Sequence, residues 1–216
     1  MNICDIACNF TSDRFASDLD DVINRALKRN VKNFVLLCSE LDEANKILKI
    51  KDSYPSNIFF TYGTHPHNAN TFNSKSIPLL NNLISKRRPN AIGEIGLDYF
   101  RNHSSQEEQI FAFEEQIKIA LDNGLPIYLH QRDAHDDFIN LLKKDPITKK
   151  QIKKYGELYQ YPFGMTSYLK YPELSNALTY QFAKDSKGRM KVREEYVGSY
   201  HITITLPYIQ NKTTQK

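Results

Sequence analysis

The sequence predicts an α/β protein, and three observations carry that prediction. Five short apolar runs alternate with stretches of helical periodicity between the N-terminus and about residue 144. The runs are near-continuously apolar, as in parallel strands covered on both faces. Nearly every run ends on a polar residue: Asn9, Ser39, His65 and His67, Glu94, His130. A ring of polar strand tips is the active-site geometry of a TIM-type barrel, whereas an open doubly wound sheet would carry a glycine-rich phosphate loop after an early strand. Five units do not close an eight-stranded barrel. The expected fold is therefore a partial TIM-type (β/α) barrel of about five strand-helix units, followed by a basic C-terminal region.

The elements follow in order. Residues 3–10 read as a buried strand with a polar tip, and 11–13 as a loop. Leu19, Val22, Ile23, Ala26 and Leu27 have the spacing of one helical face within 18–29. Residues 33–38 form the second apolar run, and Ser39 with Asp42 and Glu43 opens a helix reaching residue 51. The third strand, 58–63, is rich in aromatic residues and closed by a glycine; residues 77–86 form a helix with Leu79, Leu80, Leu83 and Ile84 inward. The fourth strand, 91–99, carries Glu94 between Gly93 and Gly96. A longer helix starts at Ser105-Gln106-Glu107-Glu108, a capping-box pattern, and stops at Asn123-Gly124. Residues 126–130 make the fifth strand and 138–142 belong to a further helix.

Beyond residue 144 the texture changes, and the expected division is 1–145 for the barrel portion and 146–216 for an unassigned region. Residues 146–216 hold 12 Lys+Arg against 5 Asp+Glu, a balance able to attract polyanions, though a solvated lysine-rich face gives the same count. Residues 149–154 frame a polar helix, 155–164 are rich in Tyr, Pro and Gly, and 174–182 read as one more helix. Tyr200-His201-Ile202-Thr203-Ile204-Thr205-Leu206 alternates with period two, the mark of a strand buried on one face. Residues 210–216 read as a disordered tail.

Composition narrows the setting. Charged residues interrupt every apolar run well before the roughly 20 residues of a spanning helix, and the first residues lack the basic start of a secretory leader. Cys4, Cys8 and Cys38 are odd in number and have no Cys-x-x-Cys spacing, so they are expected as reduced core thiols in a cytoplasmic protein, not as a zinc cluster.

Glu94 is the leading functional candidate. A carboxylate at the end of a buried strand is badly solvated without a cation beside it, and flanking glycines let a bound group approach. A strand-end Glu paired with a neighbouring Lys or Arg is the plain alternative. Set on one rim, His65, His67, Glu94 and His130 combine imidazole and carboxylate donors suited to Zn²⁺, Mn²⁺ or Mg²⁺, and metal-assisted phosphodiester hydrolysis is one use of such a rim. The segment around His65 and His67 also reads as a proline-fixed turn with exposed imidazoles. Arg132 is placed to hold a phosphate and Asp133 to cap the next helix. His135 reads as a surface group, His103 as part of a solvated loop, and Tyr99 and Phe100 either stack on a base or pack beneath their loop.

Four segments together resemble the TatD family of metal-dependent deoxyribonucleases over about residues 2–144: Asp5-Ile6-Ala7-Cys8-Asn9-Phe10-Thr11, Gly63-Thr64-His65-Pro66-His67, Ala91-Ile92-Gly93-Glu94-Ile95-Gly96-Leu97-Asp98-Tyr99 and Leu129-His130-Gln131-Arg132-Asp133-Ala134. The resemblance implies a TIM-type barrel and hydrolysis of DNA phosphodiesters, often from a 3′ end. It implies Glu94 and His130 as catalytic metal ligands, and Mg²⁺ as the expected ion, with Mn²⁺ or Zn²⁺ next. His65, His67, Arg132 and Asn9 would then face the substrate.

Two departures bear on activity. Many relatives carry His-x-His at the first strand, where this chain has Ala7 and Asn9; the branch nearest TatD itself also lacks those histidines. The family's sixth-strand His with Cys-Phe-x-Gly, and its late Glu-Thr-Asp-x-Pro segment with a ligand Asp, are both missing from this sequence. His201 lies too far along the chain for the next unit of a compact barrel, and the sequence after residue 144 is expected to be foreign to the family. The alternative function is thus a non-catalytic remnant that retains some affinity for nucleic acid. Unpaired strand edges predict association through the fifth strand.

Overall fold

In the computed structural model the described residues are 3–144 and, for backbone only, 200–204. Each of the five apolar runs becomes a strand: β1 (Ile3–Cys8), β2 (Val31–Leu36), β3 (Ile58–Tyr62), β4 (Ala91–Asp98) and β5 (Ile127–Arg132). Between them run α1 (Leu19–Lys28), α2 (Ala44–Ser53), α3 (Ser76–Lys86) and α4 (Gln106–Asp122), with α5 (His135–Lys144) after β5. The five strands pair in parallel and in chain order, giving a half-barrel. That is the topology right-handed strand-helix-strand crossovers produce.

Burial explains the pattern. All eight residues of β4 are buried, as befits a central strand covered on both faces. Helix and sheet side chains such as Ile23, Leu36, Ile47, Leu80, Phe113 and Phe138 lock together at 1% exposure or less. At the N-terminus of α4 the capping box is complete: the Ser105 hydroxyl accepts the Glu108 N–H, and the Glu108 carboxylate accepts the Ser105 N–H. The fold and its element boundaries agree with expectation at most positions.

Three differences have physical reasons. β1 is not a buried strand; Ile3, Asp5, Ile6 and Ala7 are exposed, because among the described residues only β2 pairs with it. The turn after β3 winds into a short 3-10 helix, Pro66–Thr71, with His65 as its N-cap. And the edge of β5, expected to be unpaired, is taken by β6 (Tyr200–Ile204), which lies antiparallel to it with His201 in register with His130. A returning antiparallel strand need not follow its partner closely in sequence, so β6 reaches β5 without being the next parallel unit of the barrel, for which His201 was expected to lie too far along the chain. The expected helices at 149–154 and 174–182, the 155–164 run, residues 205–206 and the tail lie outside the described residues. No helix among the described residues is long and apolar enough to cross a membrane.

Candidate active site

The site is built first by strand contact. At Gly96 an added Cβ would lie 1.8 Å from the His130 carbonyl oxygen, and at Gly93 it would lie 2.5 Å from Cβ of Tyr128. Both glycines have positive φ, at 151° and 155°, so only Gly permits β4 to lie this close to β5 while its register shifts between Ile92 and Ile95. Glu94 sits inside that irregular stretch, buried at 6% exposure.

His130 enters from β5, 1% exposed. Its Nδ1 lies 2.9 Å from Glu94 Oε1 and its Nε2 lies 3.1 Å from Asp98 Oδ2. The same Asp98 oxygen is 2.7 Å from His67 Nε2. His65 completes the cluster, its Nε2 3.7 Å from Glu94 Oε1 and its ring centroid 4.3 Å and 4.5 Å from those of His67 and His130. The structure thus brings together His65, His67, Glu94 and His130, and adds Asp98 at their centre.

Helix α4 fixes the two tips that carry these groups. The Gln116 amide oxygen accepts the Thr64 N–H at 2.7 Å while its NH₂ donates to the Thr64 carbonyl at 3.2 Å, immediately before His65. Earlier on the same face, Gln109 does the same for Asp98, accepting its N–H at 2.8 Å and donating to its carbonyl at 3.2 Å. Residues seven apart share a helix face, so one element holds both ends of the cluster. The Ser104 hydroxyl, also buried, donates to the His67 carbonyl.

Charge is set by the same contacts. Burial pushes the Asp98 carboxyl up, but the Arg101 N–H and the imidazoles of His67 and His130 outweigh it and hold it below the ordinary range. Burial lowers His67 against the opposing pull of Asp98. A neutral His67 donating Nε2–H to an ionised Asp98 leaves Nδ1 as a lone pair.

The donor set fits a divalent cation. Ligand atoms of His65, His67 and His130 all lie within 4.8 Å of one another. His130 faces a carboxylate with each ring nitrogen, so imidazole and carboxylate donors lie side by side, and His130 and Glu94 are the residues that would hold a divalent cation. His65 is different. Its Nδ1 accepts the His67 backbone N–H at 3.1 Å, so a neutral ring carries its hydrogen on Nε2, the nitrogen that faces Glu94.

Two expected substrate contacts stand apart. Asn9 is exposed at the tip of β1 and its Oδ1 accepts the Thr11 hydroxyl at 3.1 Å; it makes no hydrogen bond to the cluster among the described residues. Arg132 ends β5 in register with Asp98, half-buried, with its guanidinium carbon 3.8 Å from the Phe100 ring centroid. Sequence reasoning missed Asp98, Gln109 and Gln116, and set aside His103, whose ring lies 4.8 Å from that of His67. Asp98 carried a usable signal, as a second acid at the end of the same apolar run.

Comparison with known proteins places the fold in a family. The profile of the family described as TatD related DNase matches residues 4–192, which reaches past the division expected at residue 145. The "3'-5' ssDNA/RNA exonuclease TatD" of Salmonella typhimurium is 40% identical over 138 residues, 64% of this chain and 53% of the relative. That of Erwinia tasmaniensis is 37% identical over 139 residues, 64% of this chain and 54% of the relative. Among solved structures, a TatD homologue from Escherichia coli K12 superposes with TM-score 0.61 at 28% identity, covering 66% of this chain and 55% of the other. An uncharacterized amidohydrolase from Saccharomyces cerevisiae gives TM-score 0.56 at 28% identity, covering 67% and 52%. The chain spans about half the length of the curated relatives it matches. By the reach of the family profile and the shared half-barrel, the chain belongs to the TatD-related DNase family.

Proposed function

We propose that this chain hydrolyses phosphodiester bonds of single-stranded DNA, removing nucleotides from the 3′ end, with a divalent cation held by Glu94 and His130. The observation that carries the reading is the buried pair of His130 Nδ1 and Glu94 Oε1, 2.9 Å apart, at the centre of a cluster of three imidazoles. The bacterial relatives' names, single-stranded DNA and RNA exonucleases, support the substrate class. A cation bound there would polarise a phosphoryl oxygen and lower the pKa of a water. The resemblance points to Mg²⁺, but the imidazole-rich donor set suits Mn²⁺ or Zn²⁺ better, because Mg²⁺ favours oxygen ligands.

The protein's own groups then divide the work. His65, with its hydrogen on Nε2, donates to a phosphate oxygen. His67 presents Nδ1 while Asp98 fixes its ring. The edge of the Arg132 guanidinium offers further donors to the phosphate, and Asn9, at the tip of β1 on the far side of the strand order from β5, is the outermost contact. Placement in the cytoplasm belongs to the same reading: the three thiols are free, and burial pushes that of Cys38 up to about 12.

The test is digestion of 5′-labelled single-stranded DNA and RNA with Mg²⁺, Mn²⁺, Zn²⁺ or EDTA, wild type beside Glu94→Ala. Cation-dependent shortening from the 3′ end, abolished by Glu94→Ala, is the expected result. Folded protein that leaves the strands intact with every cation overturns the proposal and favours the remnant reading, in which salt-sensitive binding survives both EDTA and Glu94→Ala.

A further inference from the structure

Beside the histidine cluster the fold exposes an aromatic ring that packing does not require. Phe100 is 58% exposed, the most exposed of the large apolar side chains among the described residues. It is nevertheless held in place. Its backbone N–H donates to Asp98 Oδ1 at 3.1 Å, the next N–H, of Arg101, donates to the same oxygen at 2.8 Å, and the guanidinium of Arg132 lies over the ring. The neighbouring Tyr99 hydroxyl donates to Asp137 at 2.8 Å, tying the loop to α5. An aromatic placed only to fill space would turn beneath the loop; this one stands clear of it with a cation on its face.

One side chain links it directly to the site. Asp98 accepts the Phe100 N–H with Oδ1 and the imidazoles of His67 and His130 with Oδ2. Ring and cluster therefore share one anchor, and the exposed His103 lies against His67 on the same rim. A guanidinium lying over a ring keeps its N–H donors at its edge, free to meet a phosphate while the ring meets a base. An aromatic with an arginine beside it is how single strands are held without sequence preference, because every base has a π-face.

We propose that Phe100, supported by Arg132, is a nucleobase platform that stacks an unpaired base near the 3′ end of the strand entering the site. This rests on the hydrolytic reading above for its substrate class, single-stranded nucleic acid, but its test does not depend on turnover. The probe is a single-stranded oligonucleotide with 2-aminopurine at its last two positions, titrated in EDTA at low salt. Wild type is expected to quench the 2-aminopurine fluorescence; Phe100→Leu, which keeps the bulk but not the π-face, is expected to lose the quench and bind about 5- to 150-fold more weakly. Phe100→Tyr is expected to restore both. Because the side chain is exposed, all three proteins should melt alike. In the active enzyme the wild type should prefer base-bearing to abasic 3′ ends, and Phe100→Leu should narrow that preference. No quench by wild type, or equal quench and affinity in Phe100→Leu, overturns the platform. Quenching without digestion under any cation would leave the platform standing and sink the hydrolytic reading alone.

Discussion

Asp98 uses both oxygens for the site: Oδ2 orients two imidazoles while Oδ1 pins the loop that follows β4. Its role is that of a positioning residue, acting through His67 and His130. Asp98→Asn keeps one acceptor oxygen for the loop but turns an NH₂ toward two ring nitrogens that donate to the present carboxylate, so the rings must turn or exchange tautomers. The expected loss is about 10- to 100-fold in metal affinity or turnover, by comparison with other groups that orient ligands from behind. Calorimetric metal titration and kcat should fall together, with a smaller change in melting temperature; unchanged metal affinity would remove Asp98 from the site. At this scale the sequence was partly legible. Glu94 and His130 stood out because a charged or titratable group after an apolar run has few structural reasons to be there. Asp98 ended the same run as Glu94 but was named only within the segment that carries the family resemblance, because a short acid at the end of a run is also a common turn former. Arg132 was legible as a rim residue, whereas its stacking on Phe100 depends on a loop conformation that no local pattern specifies.

Elements position these residues through backbone as much as through side chains. Gln116 is fully buried and satisfies both polar groups of Thr64, itself 2% exposed. Replacing it by leucine fills a similar volume but leaves a buried N–H and a buried carbonyl unpaired, at about 1–3 kcal/mol for each group. For a chain of this size that corresponds to about 2–4 °C of melting temperature per kcal/mol. Gln116→Leu should therefore lower the melting temperature by several degrees and weaken metal binding, because Thr64 leads directly into His65. Gln106→Leu, an exposed change on the same helix, should do neither. Equal melting of the two variants would show that the glutamine clamp contributes nothing. The five strand-helix units were legible from periodicity, and the Ser105 capping box from its spacing. The buried glutamines were not, because Gln at a helical position reads as solvated surface unless its partner is already known. The exposure of β1 was also hidden: an apolar run announces a strand, but what covers it is decided by a neighbour elsewhere in the chain.

At the scale of the molecule that neighbour is the remaining question for stability. In a closed barrel the first strand pairs on both sides, but here the described residues supply β1 with β2 alone, and Ile3 and Ile6 are 43% and 39% exposed. The other end of the sheet differs, because β6 lies along β5. Expected association through the fifth strand is thus redirected to the first. An exposed, apolar edge strand is a template for pairing with another chain, and a lysine on such an edge is the device that prevents it. Wild type should therefore show concentration-dependent self-association in sedimentation velocity. Ile6→Lys should shift it toward monomer without lowering the melting temperature, since the replaced side chain already meets solvent. A monomer at every concentration would mean that the β1 edge is protected within a single chain. A dimer unaffected by Ile6→Lys would place the association on another face. The outcome also bears on the site, since Asn9 lies at the tip beyond β1: if two chains pair along this edge, Asn9→Ala should alter substrate affinity only under conditions where β1 is unpaired.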